Sequence, residues 1–223
     1  MRQPNFQQQS GFTLVEIAIV LVIIGLLLGG VLKGTELIEN SKVKKAASDI
    51  NSVAAAYNGY IDRYRATPGD DGNLAALQAR GGNWANVTQN GNRNGVLTAV
   101  AAQTFNGGGE HDNFWQHLRA AGFLTGSVSD TGRDSLPRNA FGGLIGVTSE
   151  AVQGNLTGLK VCMNSVTGKA AAALDNQIDD GDGATGSMRA TDDAGGNNPT
   201  VPAATALAGD YTETSLYTIC MKI

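Results

Sequence analysis

Four groups of residues have types and spacings that could do chemistry. Glu16 is the sole charged side chain between Gly11 and Lys33, inside an otherwise apolar run. A carboxylate in such surroundings costs several kcal/mol unless it is matched, so it either has a partner with a job or sits at headgroup depth near a helix end. Asp175, Asp179, Asp180 and Asp182 form the densest cluster of hard oxygens in the chain. Calcium takes such ligands around Gly-permitted turns, although this spacing departs from the twelve-residue EF-hand loop and lacks its terminal Glu. A solvated turn following a helix is the other reading. Cys162 and Cys220 are an even pair, open to a disulfide, a metal site or two buried thiols. His111 and His117 stand six apart and do not share a helical face, which argues against a metal pair. There is no Gly-x-Ser-x-Gly, no His-Glu-x-x-His and no phosphate-cradling glycine loop, so a non-enzyme is expected.

The elements that must position these groups begin with the apolar run. About 20 apolar residues at ~1.5 Å each are long enough to cross a bilayer core. Residues 1–11 are polar and Gln-rich, and no small-residue cleavage site follows the apolar core, unlike an ordinary secretory signal. A peptidase acting here would cut before the span. Beyond it, Val43, Ala46, Ala47, Ile50, Val53, Ala54, Tyr57, Ile61 and Tyr64 recur at helical spacing with charged and polar residues between them. The helix therefore continues to about Arg65, where Thr67-Pro68-Gly69-Asp70 ends it. Gly25, Gly29, Gly30 and Gly34 punctuate it at spacings that admit close helix association.

Residues 70–109 are rich in Gly and Asn, with Leu74, Leu77, Trp84, Val87, Val96 and Leu97 as anchors, and read as a surface excursion with one short helix at 73–79. A helix opens at 110–118, with Asp112 as cap, Gly122 as stop, and Phe114, Trp115, Leu118 and Ala121 on its buried side. Residues 128–139 form a turn-rich linker. Strands are expected at 141–148, 156–163 and 216–222, in an antiparallel sheet, with a helix at 169–178 and a mobile tail over 184–208. The ~190 residues after the span suffice for one soluble domain. Net charge is −4, or −5 once Arg2 leaves with residues 1–11, and no basic patch is present, so no specific nucleic acid is expected as a partner. Abundant Gly, Asn, Ala and Thr suit a loop-rich extracytoplasmic domain.

Gly11-Phe12-Thr13-Leu14-Val15-Glu16, followed by an uninterrupted apolar helix, resembles the N-terminus of type IV prepilins and pseudopilins. The resemblance is strong over residues 11–64 and fold-level beyond. It implies an α+β pilin fold, in which a long N-terminal helix, membrane-spanning in its first half, packs on a small antiparallel sheet with long loops. The organisation implied is a leader at 1–11, a transmembrane and assembly half of the helix at 12–33, its amphipathic half at 34–66, and a head at 67–223. Prepilin peptidase would cut after Gly11 and methylate Phe12, and Glu16 would pair with the new N-terminal amine, above all that of a neighbouring subunit. In an extracytoplasmic head, Cys162 and Cys220 read as a disulfide of the kind that staples many pilin C-termini, with two buried thiols as the alternative. Some secretion pseudopilins bind calcium in a C-terminal acidic loop, which points to Asp175, Asp179, Asp180 and Asp182.

The partners implied are further copies or other pilins, the peptidase and inner-membrane assembly machinery. The location implied is a single-pass inner-membrane form with a cytoplasmic N-terminus, then an extracellular pilus or a periplasmic pseudopilus. Two features depart from the family pattern. No proline interrupts 12–65, and Lys33, Lys42, Lys44 and Lys45 after the span outweigh Arg2 before it, against the positive-inside rule. The expected function is a filament subunit; the rivals are a type II secretion pseudopilin, a membrane-tethered binding domain that never polymerises, and an anchored hydrolase.

Overall fold

A computed structural model of the chain describes residues 11–193 and 201–223. The leader residues before Gly11, Arg2 among them, lie outside the described residues, as does part of the expected mobile tail. The chain divides into two compact units between Ser41 and Lys42. Helix α1, Leu14–Tyr64, runs for 51 residues. In the first unit its apolar side chains are exposed, Leu14 at 91% and Leu26 at 73%.

In the second unit Val43, Ala46, Ala47, Ile50, Val53, Ala56 and Tyr60 are buried on one face. The spacing in the sequence carries this stripe through Ala54, Tyr57, Ile61 and Tyr64 instead; these are only partly buried, and Ala56 and Tyr60 take the interior. The reason is tertiary. The Tyr60 hydroxyl donates to the Asp71 carboxylate at 2.9 Å, and Arg80 pairs with that same carboxylate at 2.8 Å while lying 4.5 Å from the ring centres of Tyr64 and Trp84. This knot draws the loop after α1 onto the Tyr60 side of the helix. The helix itself stops at Arg65, which takes a left-handed φ of 51° ahead of Thr67-Pro68.

Among the described residues three further α-helices follow: α2, Leu74–Gln78, capped by the Asn73 side chain; α3, Glu110–Ala120; and α4, Gly168–Ile178. Gly69 packs against Leu97 and the Glu110 carbonyl at a φ of 92°, a place where a Cβ would collide. Of the loop anchors, Leu77, Trp84, Val87 and Leu97 are buried, whereas Val96 is exposed. Two expectations for α3 are corrected. Its N-cap is Gly109, and Asp112 sits inside the first turn, accepting the Gly108 and Gly132 N–H groups at 2.8 and 2.7 Å. Every residue from His111 to Ala120 is buried, so α3 is a core helix without a solvent face, and Ala121 is only partly covered. Gly122, at a φ of 79°, does end it.

The sheet has four antiparallel strands in the order β1-β2-β4-β3. They are β1, Ile145–Thr148; β2, Lys160–Thr167; β3, Met188–Asp192; and β4, Leu216–Lys222. Only the last matches its expected bounds. Residues 141–143 are spent on a turn, with Asn139 N–H donating to the Gly143 carbonyl at 3.0 Å, and Leu144 makes an isolated bridge to Arg138. Leu156 makes an isolated bridge to Val152, and β2 is displaced toward the C-terminus. β3 lies within the tract expected to be mobile; there Met188 and Ala190 face the core, and Leu207 N–H donates to the Ala190 carbonyl at 2.7 Å. The buried face of α1, helices α3 and α4, and the inner sides of all four strands share one core cluster.

Candidate functional site

Gly11, Phe12 and Thr13 precede α1, and Phe12 is 84% exposed. Thr13 and Glu16 form a capping box. The Thr13 backbone N–H and hydroxyl both donate to Glu16 Oε2, at 2.7 and 2.8 Å, and Glu16 N–H donates back to Thr13 Oγ1 at 3.3 Å. This reciprocal arrangement satisfies amides that the first helical turn would otherwise leave bare, and it places negative charge at the positive end of the helix dipole. The sequence reading matches Glu16 with the Phe12 amine, above all that of a neighbouring copy, and does not include Thr13 as a partner. The signal was present, since Thr-x-x-Glu ahead of an apolar run is a capping-box pattern. Glu16 is thus a held group within one copy: its carboxylate is fixed on the N-terminal side of the helix, three residues from Thr13 and four from Phe12.

Helix α1 is long and apolar enough to cross a membrane, and its most apolar stretch is wholly unburied. A helix whose Leu, Ile and Val side chains are exposed over several turns needs lipid or other apolar helices around it.

The two cysteines face each other in register, Cys162 on β2 and Cys220 on β4, and are joined as a disulfide across 58 residues of chain. The staple therefore ties the C-terminal strand to its central neighbour. At the acidic turn, Asp175, Asp179 and Asp180 bring carboxylate oxygens within 4.8 Å of one another, and Asp182 stands outside that group. Oxygens this close could share a calcium, whose ligands sit at ~2.3–2.6 Å, and these three residues are the ones that would hold it. The carboxylates also have donors of their own. Asp175 accepts the Tyr211 hydroxyl at 2.6 Å, Asp179 the Met188 N–H at 2.8 Å, and Asp180 the Thr185 hydroxyl at 2.7 Å. Asp182 accepts the Ala184 N–H at 2.9 Å, closing the turn. Those bonds account for the convergence without a cation. Burial raises the Asp175 carboxyl, with the charges of Asp180 and Asp179 adding to it.

The histidines are core residues with separate partners. His111 Nε2 accepts the Val147 N–H at 3.3 Å, and His117 Nδ1 accepts the Gly69 N–H at 3.0 Å. Burial pushes the His117 imidazole down to about 4 and lowers that of His111.

A capped acid four residues after an exposed aromatic opens an unburied apolar helix whose second half packs into an α+β head with a four-stranded antiparallel sheet. Residues 6–32 match the family described as the prokaryotic N-terminal methylation motif, so the chain carries the hallmark of type IV prepilins and pseudopilins. No curated protein matches the chain.

Proposed function

We propose that the chain is a type IV pilin-like subunit, cut after Gly11 and methylated at Phe12 by prepilin peptidase, that polymerises into a helical surface filament through α1. The observation that carries this reading is the methylation motif, placed on a helix whose apolar surface is unburied within the subunit. Before assembly α1 holds the protein in the inner membrane with residues 1–11 on the cytoplasmic side; afterwards the bundled helices form the fibre core. Other copies, the peptidase and inner-membrane assembly machinery are the partners. The work is assembly, not catalysis.

Glu16 sets register in this scheme. Among apolar helices a carboxylate is tolerable when matched with a cation, and cleavage creates one, the amine of Phe12, which in a staggered bundle can come from a neighbour. The capping box holds the acid ready within each subunit. Removing one member of a buried pair typically costs ~3–5 kcal/mol. Glu16→Ala should insert and be cleaved like wild type, yet enter filaments at least about tenfold less well, with Glu16→Asp between the two. The readout is the mutant-to-wild-type ratio in purified filaments from cells expressing both, with mass spectrometry confirming a mature N-terminus at Phe12 that carries one added methyl. Equal incorporation of Glu16→Ala would show that the acid does not set register; an unprocessed Met1 N-terminus in mature material would remove the reading as a whole.

A further inference from the structure

One guanidinium in the head is buried without an acid. Arg119, on α3, is 7% exposed, and its Nη atoms donate to the backbone carbonyls of Ser127 at 3.3 Å and Ser135 at 2.5 Å. Its Nε has no hydrogen-bond partner, and among the described residues no carboxylate forms an ion pair with it; Asp130 acts on it only through space. Burial pushes this guanidinium down from its ordinary value. A charge taken out of water normally carries a counter-charge, because neutral carbonyl dipoles replace only part of its hydration.

Arg119 also lines a cavity of about 210 Å³, together with Lys45 and Asp49 of α1, Thr125, Arg138 and Ile145. The Lys45 ammonium is already paired with Asp49. Arg138 is exposed and makes no side-chain hydrogen bond or ion pair among the described residues. The cavity wall therefore carries three cations against one acid.

The complementary charge lies elsewhere in the same sequence. Residues 12–140 hold eleven Lys and Arg against eleven Asp and Glu, whereas residues 141–223 hold four against nine, so the net −5 of residues 12–223 resides wholly in the later part. There Asp180, Asp182, Asp192, Asp210 and Glu213 are exposed. Guanidinium groups favour carboxylates because two parallel N–H donors match two oxygens.

We infer that the Arg119–Arg138–Lys45 cavity is an anion-recognising groove that receives a carboxylate from residues 141–223 of a second copy of this chain. The inference rests on the assembly reading above and names a contact between heads within it. A free anion such as phosphate would suit the same cations; the division of charge between the two parts of the chain favours a neighbouring copy. The pairing orients heads, since a rotated neighbour would bring cations to cations, and like charges repel.

The test uses the full chain expressed with wild type and the peptidase. Arg138→Glu, at an exposed position, should keep the wild-type unfolding midpoint and enter filaments about tenfold less well. Carbodiimide coupling of filaments built from mixed isotope-labelled copies should join Lys45 of one copy to an acid within 141–223 of another. Incorporation of Arg138→Glu at the wild-type ratio, or coupling of Lys45 solely to acids within 12–140, overturns the inference while leaving the assembly reading standing. Absence of any wild-type filament removes the assembly reading first, and this contact with it. Inorganic phosphate shifting the Arg119 Nε resonance of the monomer, with Arg138→Glu assembling normally, would make the groove a free-anion site instead.

Discussion

The two halves of α1 share one backbone conformation and differ in what their side chains are for. Up to Ser41 the helix is rich in Leu, Ile and Val, and those side chains are exposed; from Lys42 it is poorer in large apolar residues, and a sparser set that includes Ala46, Ala47 and Ala56 is buried. Apolarity and burial therefore run in opposite directions along a single helix. Burial follows the presence of a complementary surface, which α3, the strands and the Asp71–Arg80 knot supply to the second half. The apolar content of the first half exceeds anything its own unit covers, which is the property expected of a segment meant for lipid or for copies of itself.

The sharpest way to break that contrast is a matched pair of truncations. Tyr60→Ala removes a buried ring and the hydroxyl that donates to Asp71, and should lower head stability by about 4–5 kcal/mol. Leu26→Ala removes three apolar carbons from the exposed half and should leave the same unfolding midpoint unmoved. Urea denaturation of the detergent-solubilised full chain, followed by near-UV circular dichroism, measures both. A shared loss would mean that the two halves are not independent in stability.

The next effect in size is the staple. Cys162→Ser opens a crosslink that spans 58 residues, and should lower head stability by about 2–4 kcal/mol without altering membrane insertion of the first half. Urea midpoints with and without reductant give the magnitude, and carbonate extraction of membranes reports insertion.

The smallest is a pH dependence confined to the head. His117 has a folded value of about 4 against an ordinary 6.5, so its contribution is fully present above pH 6.5. As pH falls from 6.5 toward 4 the unfolded chain takes up the proton and the native chain does not, and stability declines; below about 4 both forms are protonated and the decline ends. His111 acts in the same sense. Burial raises Asp175 and Asp193, which act in the opposite sense as they protonate, so the test is a difference. His117→Asn, which keeps an acceptor for the Gly69 N–H, should show a flatter fall in urea midpoint between pH 6.5 and 4 than wild type. Parallel slopes would place the titration elsewhere.

Much of the scaffold was legible before any coordinates, for identifiable reasons. The C-terminal end of α1 follows from the Thr67-Pro68 pair, which acts within a turn of where it stands. α4 and β4 follow from an alanine run and a β-branched run with clear boundaries. β3 was missed because Met188-Arg189-Ala190-Thr191 is too short and too embedded in Gly and Asp to show a period, and becomes a strand by pairing with β4. The polar residues of α3 hid its burial. Gln116 donates to the Asp130 carbonyl at 3.3 Å, His117 accepts from Gly69, and Arg119 reaches Ser135, so groups that mark a solvent face in sequence are satisfied by loops brought over them.

By itself, the sequence determined what is local or compositional: a helix of this length and apolarity, the methylation motif at its start, and an acid four residues after Phe12. Tertiary structure alone decided that Ala56 and Tyr60, not Ala54 and Tyr57, turn inward, that Asp182 stands apart from the other three acids of its turn, and that Arg119 lies buried beside a cationic cavity. Those outcomes depend on which loops cross which faces. Periodicity constrains a residue relative to neighbours on its own element, and carries no information about the distant backbone carbonyl or carboxylate that will satisfy it.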